Sequence, residues 1–258
     1  MNLRFLGSGI VIPNAKKKNT KEYRRRTSLL IDGKILINPT VDIFDFESTY
    51  ALDGLYSGVE AILVTDTSSL DAEAIERLTR KRRIAVYASA FVHNLLCDAQ
   101  NIQKGFLTLF SLSMLGEYRI LPLPLAHKTE NARECPYGFY ISRDKNIFYA
   151  TPGGMLRYDA WQLISKLARD ESMQLDAAVL DCSRGDKPFD AEDFEGLSLE
   201  GAALTKRILE SSGVARSHCR YILTHILTDK KRKLHEELLP SAEEVGLTLS
   251  YDGYFLGL

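Results

Sequence analysis

The sequence predicts an α/β fold, or α+β in some classifications, in which two β-sheets pack face to face with helices outside them. Two observations lead to this prediction. Short apolar runs of strand length alternate along the chain with longer segments whose apolar residues recur at helical spacing. Several of these runs lack alternating polar positions, which is typical of strands covered on both faces. A single doubly wound sheet is the competing architecture, because alternation alone does not separate the two.

The predicted strands are short apolar runs, most of which are bounded by glycine or polar turn residues. Asp32-Gly33, between two such runs, indicates a tight hairpin, because both residue types tolerate the left-handed backbone that this turn requires. Another pair of runs is joined across Asp144-Lys145. We expect strands at residues 3–6, 28–31, 34–37, 59–64, 84–87, 118–125, 138–141, 147–150, 177–180 and 220–223.

Four longer segments have the apolar periodicity of helices. In the first, Leu70, Ala74 and Leu78 fall on one face, and Asp71 lies early, where negative charge interacts favourably with the helix dipole. The helices are expected at residues 69–81, 156–168, 199–211 and 230–239.

Composition indicates one globular domain over residues 1–258, with 45% hydrophobic and 26% charged residues. The formal net charge is -1, so no overall field favours nucleic acid or a membrane surface. The first residues lack the apolar run of a signal peptide, and no later run is long enough to span a bilayer. Four cysteines without Cys-x-x-Cys spacing suit reduced thiols. We therefore expect a cytoplasmic protein.

Seven short motifs resemble, in order along the chain, those of the metallo-β-lactamase-fold hydrolases. The nearest group by this resemblance is the cyclic phosphodiesterases associated with carbon–phosphorus-lyase phosphonate breakdown. The resemblance covers nearly the whole chain and implies a four-layer αββα sandwich. The motifs are Gly7-Ser8-Gly9, Tyr23-Arg24-Arg25-Arg26-Thr27-Ser28, Leu36-Ile37-Asn38-Pro39-Thr40, Leu121-Pro122-Leu123-Pro124-Leu125-Ala126-His127, Leu180-Asp181-Cys182-Ser183, Leu223-Thr224-His225-Ile226 and Tyr251-Asp252-Gly253.

The metal motif of that family is largely absent from this chain. In the family, a loop of pattern His-x-His-x-Asp-His holds two metal ions, and the resemblance places Asp66, Ser68, Leu70 and Asp71 at its four ligand positions. His127 and His225 stand at two further ligand positions. The bridging aspartate expected after Tyr149-Ala150-Thr151 is missing, because Pro152 follows. Two candidate proton-transfer histidines of the family are Gly196 and Thr228 here.

These losses predict a non-catalytic protein that uses the inherited cleft to bind a phosphorylated ligand or a protein partner, with no resident cofactor. The alternative is a divergent metal-dependent phosphodiesterase. In it Asp66, Asp71, His127 and His225 hold one hard cation, with Asp181 at the end of a neighbouring strand. Carboxylate-rich ligand sets favour Mn²⁺ or Mg²⁺ over a zinc pair, although a single Zn²⁺ stays open. The competing structural interpretation is that Asp66 and Asp71 only bind local backbone.

Arg24, Arg25 and Arg26 follow the basic run Lys16-Lys17-Lys18 and are candidate anion-binding residues at the mouth of the cleft. A solvated loop is the alternative. Few aromatic residues accompany these charges, so nucleic acid is unsupported as a partner. The resemblance also allows a homodimer. A Cys–His nucleophile pair involving Cys182 is a further alternative, although metal-dependent relatives carry Asp-Cys at this point without using the cysteine.

Overall fold

Two mixed β-sheets face each other in the computed structural model, which describes residues 1–10, 20–80, 82–96, 102–129, 133–153, 155–170, 173–190, 196–227 and 235–258. The strands are β1 (Asn2–Gly7), β2 (Ser28–Ile31), β3 (Ile35–Ile37), β4 (Ala61–Leu63), β5 (Ile84–Ala88), β6 (Ile102–Phe106), β7 (Ser113–Leu115), β8 (Tyr118–Pro124), β9 (Tyr137–Ser142), β10 (Asn146–Ala150), β11 (Leu175–Asp181), β12 (Ala215–Thr224), β13 (Thr248–Leu249) and β14 (Phe255–Gly257). The helices are α1 (Asp42–Thr49), α2 (Ala72–Thr79), α3 (Ala90–Leu95), α4 (Tyr158–Asp170), α5 (Leu199–Ser211) and α6 (His235–Glu244).

The strand order confirms two sheets and excludes the doubly wound single sheet. One sheet has the order β14-β1-β2-β3-β4-β5-β6, and the other has the order β13-β12-β11-β10-β9-β8-β7. Pairing is parallel from β3 to β6 and from β10 to β13, and antiparallel elsewhere. Both sheets are therefore mixed, and each has an edge strand at either end.

Three apolar clusters separate the layers of the molecule. Phe5, Ile37, Phe139 and Val179 belong to the cluster between the two sheets. A second cluster joins the outer face of the first sheet to α1, α2 and α3, and a third joins the outer face of the second sheet to α4, α5 and α6. This arrangement is the predicted αββα sandwich. It also explains the continuous apolar runs, because strands such as β10 and β11 are buried at every position.

Several predicted elements agree closely with the structure. Asp32 and Gly33 have φ of 50° and 70°, and Lys34 N donates to Ile31 O at 2.9 Å, as a tight β2–β3 hairpin requires. The predicted helix 199–211 is α5, because the Ser198 side chain accepts a hydrogen bond from Gly201 N and so caps it. The helix predicted over 230–239 is described only from His235 onward, and the basic run 230–233 lies outside the described residues.

Other elements were not predicted. Helix α1 has no side-chain cap, and β6 and β7 are short edge strands whose exposed positions interrupt the apolar pattern. No helix in the described ranges is long and apolar enough to cross a membrane. The loops that matter for the site follow the carboxyl ends of β4, β8, β10, β11 and β12, where several motifs of the sequence converge.

Candidate functional site

A cleft of about 230 Å³ lies at these strand ends. The only charged side chains among its described lining residues are Arg26 and Asp71; the others are hydroxyl, amide, imidazole or apolar groups. The lining residues are Gly9, Ile10, Arg26, Thr27, Asn38, Thr40, Ser68, Ser69, Leu70, Asp71, His127, Pro152 and His225. Of the predicted cleft residues, Asp71, His127 and His225 therefore face the cleft, whereas Asp66 and Asp181 are fully buried and do not line it.

Asp66 anchors the loop that replaces the metal motif. Its Oδ1 atom accepts hydrogen bonds from Ser69 N at 2.8 Å and from Ser68 Oγ at 3.1 Å. This is the local turn bonding typical of an aspartate followed by serines. Oδ2 is buried and has no hydrogen-bond partner in the part of the chain that the structure describes. The neighbouring Thr67 is fixed by Glu134, whose carboxylate accepts from Thr67 N at 2.8 Å and from its hydroxyl at 2.6 Å.

Asp71 is the N-cap residue of α2 rather than an open ligand. Oδ1 accepts from Ala74 N at 3.0 Å, which is the capping bond that starts the helix. Oδ2 accepts from Val41 N at 3.1 Å and forms an ion pair with Arg26 Nη2 at 3.2 Å. Both carboxylate oxygens of Asp71 are thus already engaged in bonds within the protein.

His225 retains a specific ring orientation. Its φ of 60° places it in the left-handed region, which non-glycine residues seldom occupy. Thr27 Oγ1 donates its one proton to Gly9 O at 2.8 Å and lies 3.0 Å from His225 Nδ1, so Nδ1 must be the donor in that contact. Burial lowers the pKa of His225 to about 4, leaving a neutral ring whose Nε2 can only accept. Thr27 was not singled out from the sequence, where only its place beside the arginine run could have marked it.

His127 is held less firmly. Its Nδ1 atom is buried and has no partner among the described residues. The charge of Asp66 raises the pKa of His225 and the His127 ring lowers it, although burial outweighs both. Asp66 and His127 therefore both lie within electrostatic reach of His225.

Asp181 is enclosed by donors from three segments. Oδ1 accepts from Ser183 N at 2.8 Å, Ser183 Oγ at 2.6 Å and Leu197 N at 3.0 Å, and Gly153 N lies 3.4 Å from Oδ2. Burial raises the pKa of Asp181 to about 6 in spite of these bonds. This carboxylate faces the protein interior and not the cleft.

Gly196 has no room for the histidine that the family carries at this point. A Cβ atom added there would lie 1.8 Å from Ser183 Oγ and 2.8 Å from Asp181 Oδ1, and φ is +154°. The Ser183–Asp181 pair therefore fills the space that a side chain at position 196 would need. Pro152 likewise lines the cleft directly after Thr151, so no carboxylate bridges two metal ions there.

The described donors do not fit a dinuclear metal centre. Asp71 and Asp181 are used as acceptors inside the protein, and positions 68, 70 and 152 carry serine, leucine and proline. Within the described ranges, no group of three or more His, Cys, Asp or Glu side chains is close enough together to hold a metal ion. A two-metal hydrolase needs several such ligands around each ion.

Solved structures show the same architecture over the full length of the chain. A diphosphatase from the PhnP family aligns with a TM-score of 0.71 and 20% identity, covering 99% of this chain and 96% of that one. YhfI from Bacillus subtilis, a metallo-β-lactamase-fold protein, aligns with a TM-score of 0.71 and 11% identity over 99% and 98% of the two chains. This chain has the metallo-β-lactamase fold. The resemblance stated from the sequence is confirmed at the level of the fold.

A third similar structure is Zn²⁺-bound PqqB from Methylobacterium extorquens, with a TM-score of 0.71 and 16% identity over 100% of both chains. No protein-family model matches the sequence, and no curated protein matches it significantly. The metallo-β-lactamase fold was thus visible in short motifs and in three-dimensional structure, and not in overall sequence similarity.

Within the metallo-β-lactamase fold, the arginine run does not form the expected patch at the cleft mouth. Arg24 and Arg25 are 0% and 1% exposed. Arg24 donates to Ser8 Oγ at 2.9 Å and to Ser250 O at 2.7 Å. The location predicted for these two residues is therefore wrong: both lie in the protein interior, where Arg25 pairs with Asp252 and Asp45.

Arg26 alone of the three lines the cleft. Nε donates to Asp42 Oδ2 at 2.9 Å, and Nη2 pairs with Asp71 Oδ2 at 3.2 Å. These bonds raise the pKa of Arg26, although its partial burial acts in the opposite direction. Arg26 therefore stays charged and is held in place by two carboxylates. The basic run 16–18 lies outside the described residues.

Cys182 is not placed to act as a nucleophile. It is 1% exposed, and burial raises the pKa of its thiol to about 12, so the reactive thiolate is scarce at neutral pH. Of the nearby hydroxyls, Thr67 is bound to Glu134 and Ser68 to Asp66. No Cys–His or Ser–His pair is therefore available among these residues.

A pH dependence of stability follows from the buried pair of Arg24 and His235. Arg24 Nη2 lies 2.7 Å from His235 Nδ1, and because a guanidinium only donates, Nδ1 must accept and stay unprotonated. Burial of the ring and the positive charges of Arg24 and Lys21 lower the pKa of His235 to about 4. The lowered pKa means that His235 contributes stability above the unfolded-state pKa of about 6.5, which is lost as the pH falls toward 4.

We therefore expect the stability difference between wild type and His235→Asn to grow as the pH rises from about 4 to about 6.5 and then to level off. Asparagine is the suitable replacement because its Oδ1 can accept from Arg24 without titrating. Urea unfolding at several pH values measures the difference, and exposed His218→Asn is the matched control. A difference that does not change with pH would contradict a neutral, buried His235.

Proposed function

We propose that this chain is a non-catalytic protein of the metallo-β-lactamase fold that binds a small phosphorylated compound in the inherited cleft. The proposal is based on one observation: the carboxylates of Asp71 and Asp181 accept hydrogen bonds from other parts of the protein. Six backbone or side-chain donors and Arg26 surround these two carboxylates, so they are not presented to metal ions. Supplying metal would not restore a dinuclear centre unless these internal bonds were broken.

The cleft offers groups that suit a polar ligand. Arg26 is a charged donor on its wall, and Thr40 Oγ1 is a buried hydroxyl with no partner in the described part of the chain. His225 Nε2 provides an acceptor, since the neutral ring carries its proton on Nδ1. A phosphate group could accept from Arg26 and Thr40, and a ligand hydroxyl could donate to His225.

The charge and the volume of the cleft restrict the class of ligand that it can bind. Arg26 and Asp71 cancel among the described lining residues, so hydrogen bonds rather than net charge would hold the ligand. A volume of about 230 Å³ is below the range of sites for drug-sized molecules, which begins at roughly 300 Å³. The proposed ligand is therefore a small phosphate ester that carries at least one hydroxyl group.

Calorimetric titration with glycerol 3-phosphate tests the binding proposal, with inorganic phosphate and glycerol as partial ligands. We expect glycerol 3-phosphate to bind more tightly than either, and Arg26→Gln to weaken it at least tenfold, or about 1.4 kcal/mol. Arg77→Gln is the control, because Arg77 pairs with Glu73 on the surface of α2 and is outside the cleft lining. Equal binding by wild type and Arg26→Gln would contradict the assigned cleft.

Hydrolysis of bis(p-nitrophenyl) phosphate tests the non-catalytic part of the proposal separately. With Zn²⁺, Mn²⁺ or Mg²⁺ supplied, we expect no rate above the metal-only reaction. Turnover that disappears in both His127→Ala and His225→Ala would show a working hydrolase site and overturn this part. The double variant, which carries His127→Ala and His225→Ala together, then serves as the inactive reference.

One observation supports a second candidate function. Asp66 Oδ2 is buried without a partner among the described residues, and the Asp66 charge lies within electrostatic reach of the neutral His225 ring. A single hard cation bound there would satisfy this oxygen and support a divergent phosphodiesterase. Titration of wild type and Asp66→Asn with Mn²⁺ separates the candidates: binding that Asp66→Asn abolishes favours the cation, and no binding by folded wild type excludes it.

A further inference from the structure

Another cavity, of about 600 Å³, opens on the helical layer outside the first sheet and shares no lining residue with the cleft. We call it the arginine groove. Its walls come from helices α1 and α2 and from the loop between α1 and β4. Two of its lining residues, Tyr56 and Leu78, are buried in the apolar cluster beneath these helices. The lining residues are Phe44, Glu47, Gly54, Tyr56, Ser57, Arg77, Leu78, Arg80 and Arg82.

The arginine groove carries a positive charge. Three of its described lining residues are arginines and one, Glu47, is acidic, so the lining has a net charge of +2. The described lining of the cleft is neutral by comparison, because Arg26 and Asp71 cancel. The Glu47 carboxylate is bonded to the loop, since its Oε1 atom accepts from Leu55 N at 3.1 Å. An anion is therefore the class of ligand that this charge favours.

Two of the three arginines are held in place by neutral groups. The Arg77 guanidinium lies over the ring of Phe44, 3.8 Å from its centre. The Arg82 guanidinium donates from Nη1 to Ser57 O and from Nη2 to Tyr56 O. Neither contact neutralises the charge, and a guanidinium has five N–H donors, so Arg82 keeps others for a ligand. Because both side chains are positioned before an anion arrives, less conformational entropy is lost when it binds.

The carboxylates on α2 compete only weakly for these arginines. Arg77 Nη1 lies 3.9 Å from Glu73 Oε1. Arg80 Nη2 lies 3.8 Å from Glu76 Oε1. Between 41% and 71% of each of these four side chains is exposed, so water screens both pairs. A phosphate that accepts two hydrogen bonds from a guanidinium forms a stronger contact than either carboxylate does at these distances.

The end of helix α2 explains only part of this arrangement. Arg80 and Arg82 follow Thr79, the last residue of α2, where the helix dipole favours cations. The dipole accounts for positive charge in this region, but not for the aromatic ring under Arg77 or for the cavity beside it. Sites for small molecules have volumes of roughly 300–1,000 Å³, so the arginine groove has room for a molecule as large as a nucleotide.

We propose that the arginine groove binds a nucleotide that carries at least two phosphate groups. The phosphates accept from Arg80 and Arg82. The planar base stacks on the guanidinium of Arg77, on the side opposite Phe44. Inorganic polyphosphate would make the first contact and lacks the second. Glycerol 3-phosphate has neither a second phosphate nor a planar ring, so the ligand of the cleft should not occupy this groove.

Calorimetric titration with ADP in the presence of a chelator tests the site, with pyrophosphate and adenosine as partial ligands. We expect ADP to bind at least tenfold more tightly than either, and Arg80→Gln to weaken ADP binding at least tenfold. Arg83→Gln is the matched control, because Arg83 is exposed, carries the same charge and is outside the described lining of the groove. Its affinity for ADP should equal that of wild type. Arg82→Gln provides a second variant, which should also weaken ADP binding.

Several results would overturn the proposal. Folded wild type that does not bind ADP is one, and Arg80→Gln that weakens binding no more than Arg83→Gln is another. Pyrophosphate that binds as tightly as ADP would assign the groove to polyphosphate instead of a nucleotide. Arg26→Gln is measured in parallel and should bind ADP like wild type, because Arg26 is outside the lining of the groove. Loss of ADP binding in that variant would place the nucleotide in the cleft.

Discussion

Arg25→Ala should lower the free energy of unfolding by about 3–5 kcal/mol, the range for breaking a buried ion pair from one side. Arg25 Nη1 lies 3.2 Å from Asp252 Oδ2, and Nη2 lies 2.7 Å from Asp45 Oδ2. Asp252 is 4% exposed, so the substitution leaves its charge buried with less compensation. The guanidinium also stacks on Tyr23, 4.9 Å from the ring centre, and this packing is lost as well.

Chemical denaturation of wild type and Arg25→Ala measures this effect. Arg80→Ala is the matched control, because Arg80 pairs with Glu76 on α2 at 3.8 Å and both side chains are solvent-exposed. Such surface pairs typically contribute about 1 kcal/mol or less. If Arg25→Ala cost no more than Arg80→Ala, Arg25 would not be an interior counter-ion, and the anion-binding role predicted from the sequence would regain support.

Gly196→Ala should destabilise the protein by about 2–4 kcal/mol, through overpacking together with backbone strain. The added Cβ would lie 1.8 Å from Ser183 Oγ, and the φ of +154° disfavours any L side chain. Gly185→Ala is the matched control, since it also has positive φ, +58°, but has no atom within 4 Å of the added Cβ. Its cost should be limited to backbone strain of about 1–2 kcal/mol.

A double variant identifies the atom responsible. Ser183→Ala removes the hydroxyl that the new Cβ would meet, so Ser183→Ala with Gly196→Ala should cost less than the sum of the single substitutions by about 1 kcal/mol or more. Thermal and urea unfolding of the three variants complete the cycle. Strict additivity, or a Gly196→Ala cost equal to that of Gly185→Ala, would show that position 196 has room for a side chain.

Local patterns predicted much of the fold. The boundaries of α5 were correct because its apolar periodicity and the Ser198 cap agree, and the β2–β3 hairpin followed from Asp32-Gly33. Edge strands β6 and β7 were missed, since a strand paired on one side needs no continuous apolar run. Neither the alternation nor the periodicity of the sequence could separate one sheet from two; the motif resemblance did.

The candidate site was predictable in position but not in chemistry. His127 and His225 do line one cleft, as their motifs indicated. Whether a carboxylate is open to a ligand depends on donors from remote segments, such as Val41 for Asp71 and Leu197 for Asp181. The arginine run was misplaced for the same reason, because neither the ion pairs nor the burial of such residues can be read from neighbouring sequence.

A measurement of metal content tests the central claim most directly, which is that Asp71 and Asp181 form bonds within the protein and do not hold two metal ions. Purified, folded protein would be incubated with Zn²⁺, desalted and examined by elemental mass spectrometry, with His127→Ala combined with His225→Ala as the reference. We expect well under one ion per chain for wild type, at the level of the reference. About two retained ions per chain, lost in the reference, would contradict the account and restore a metallohydrolase.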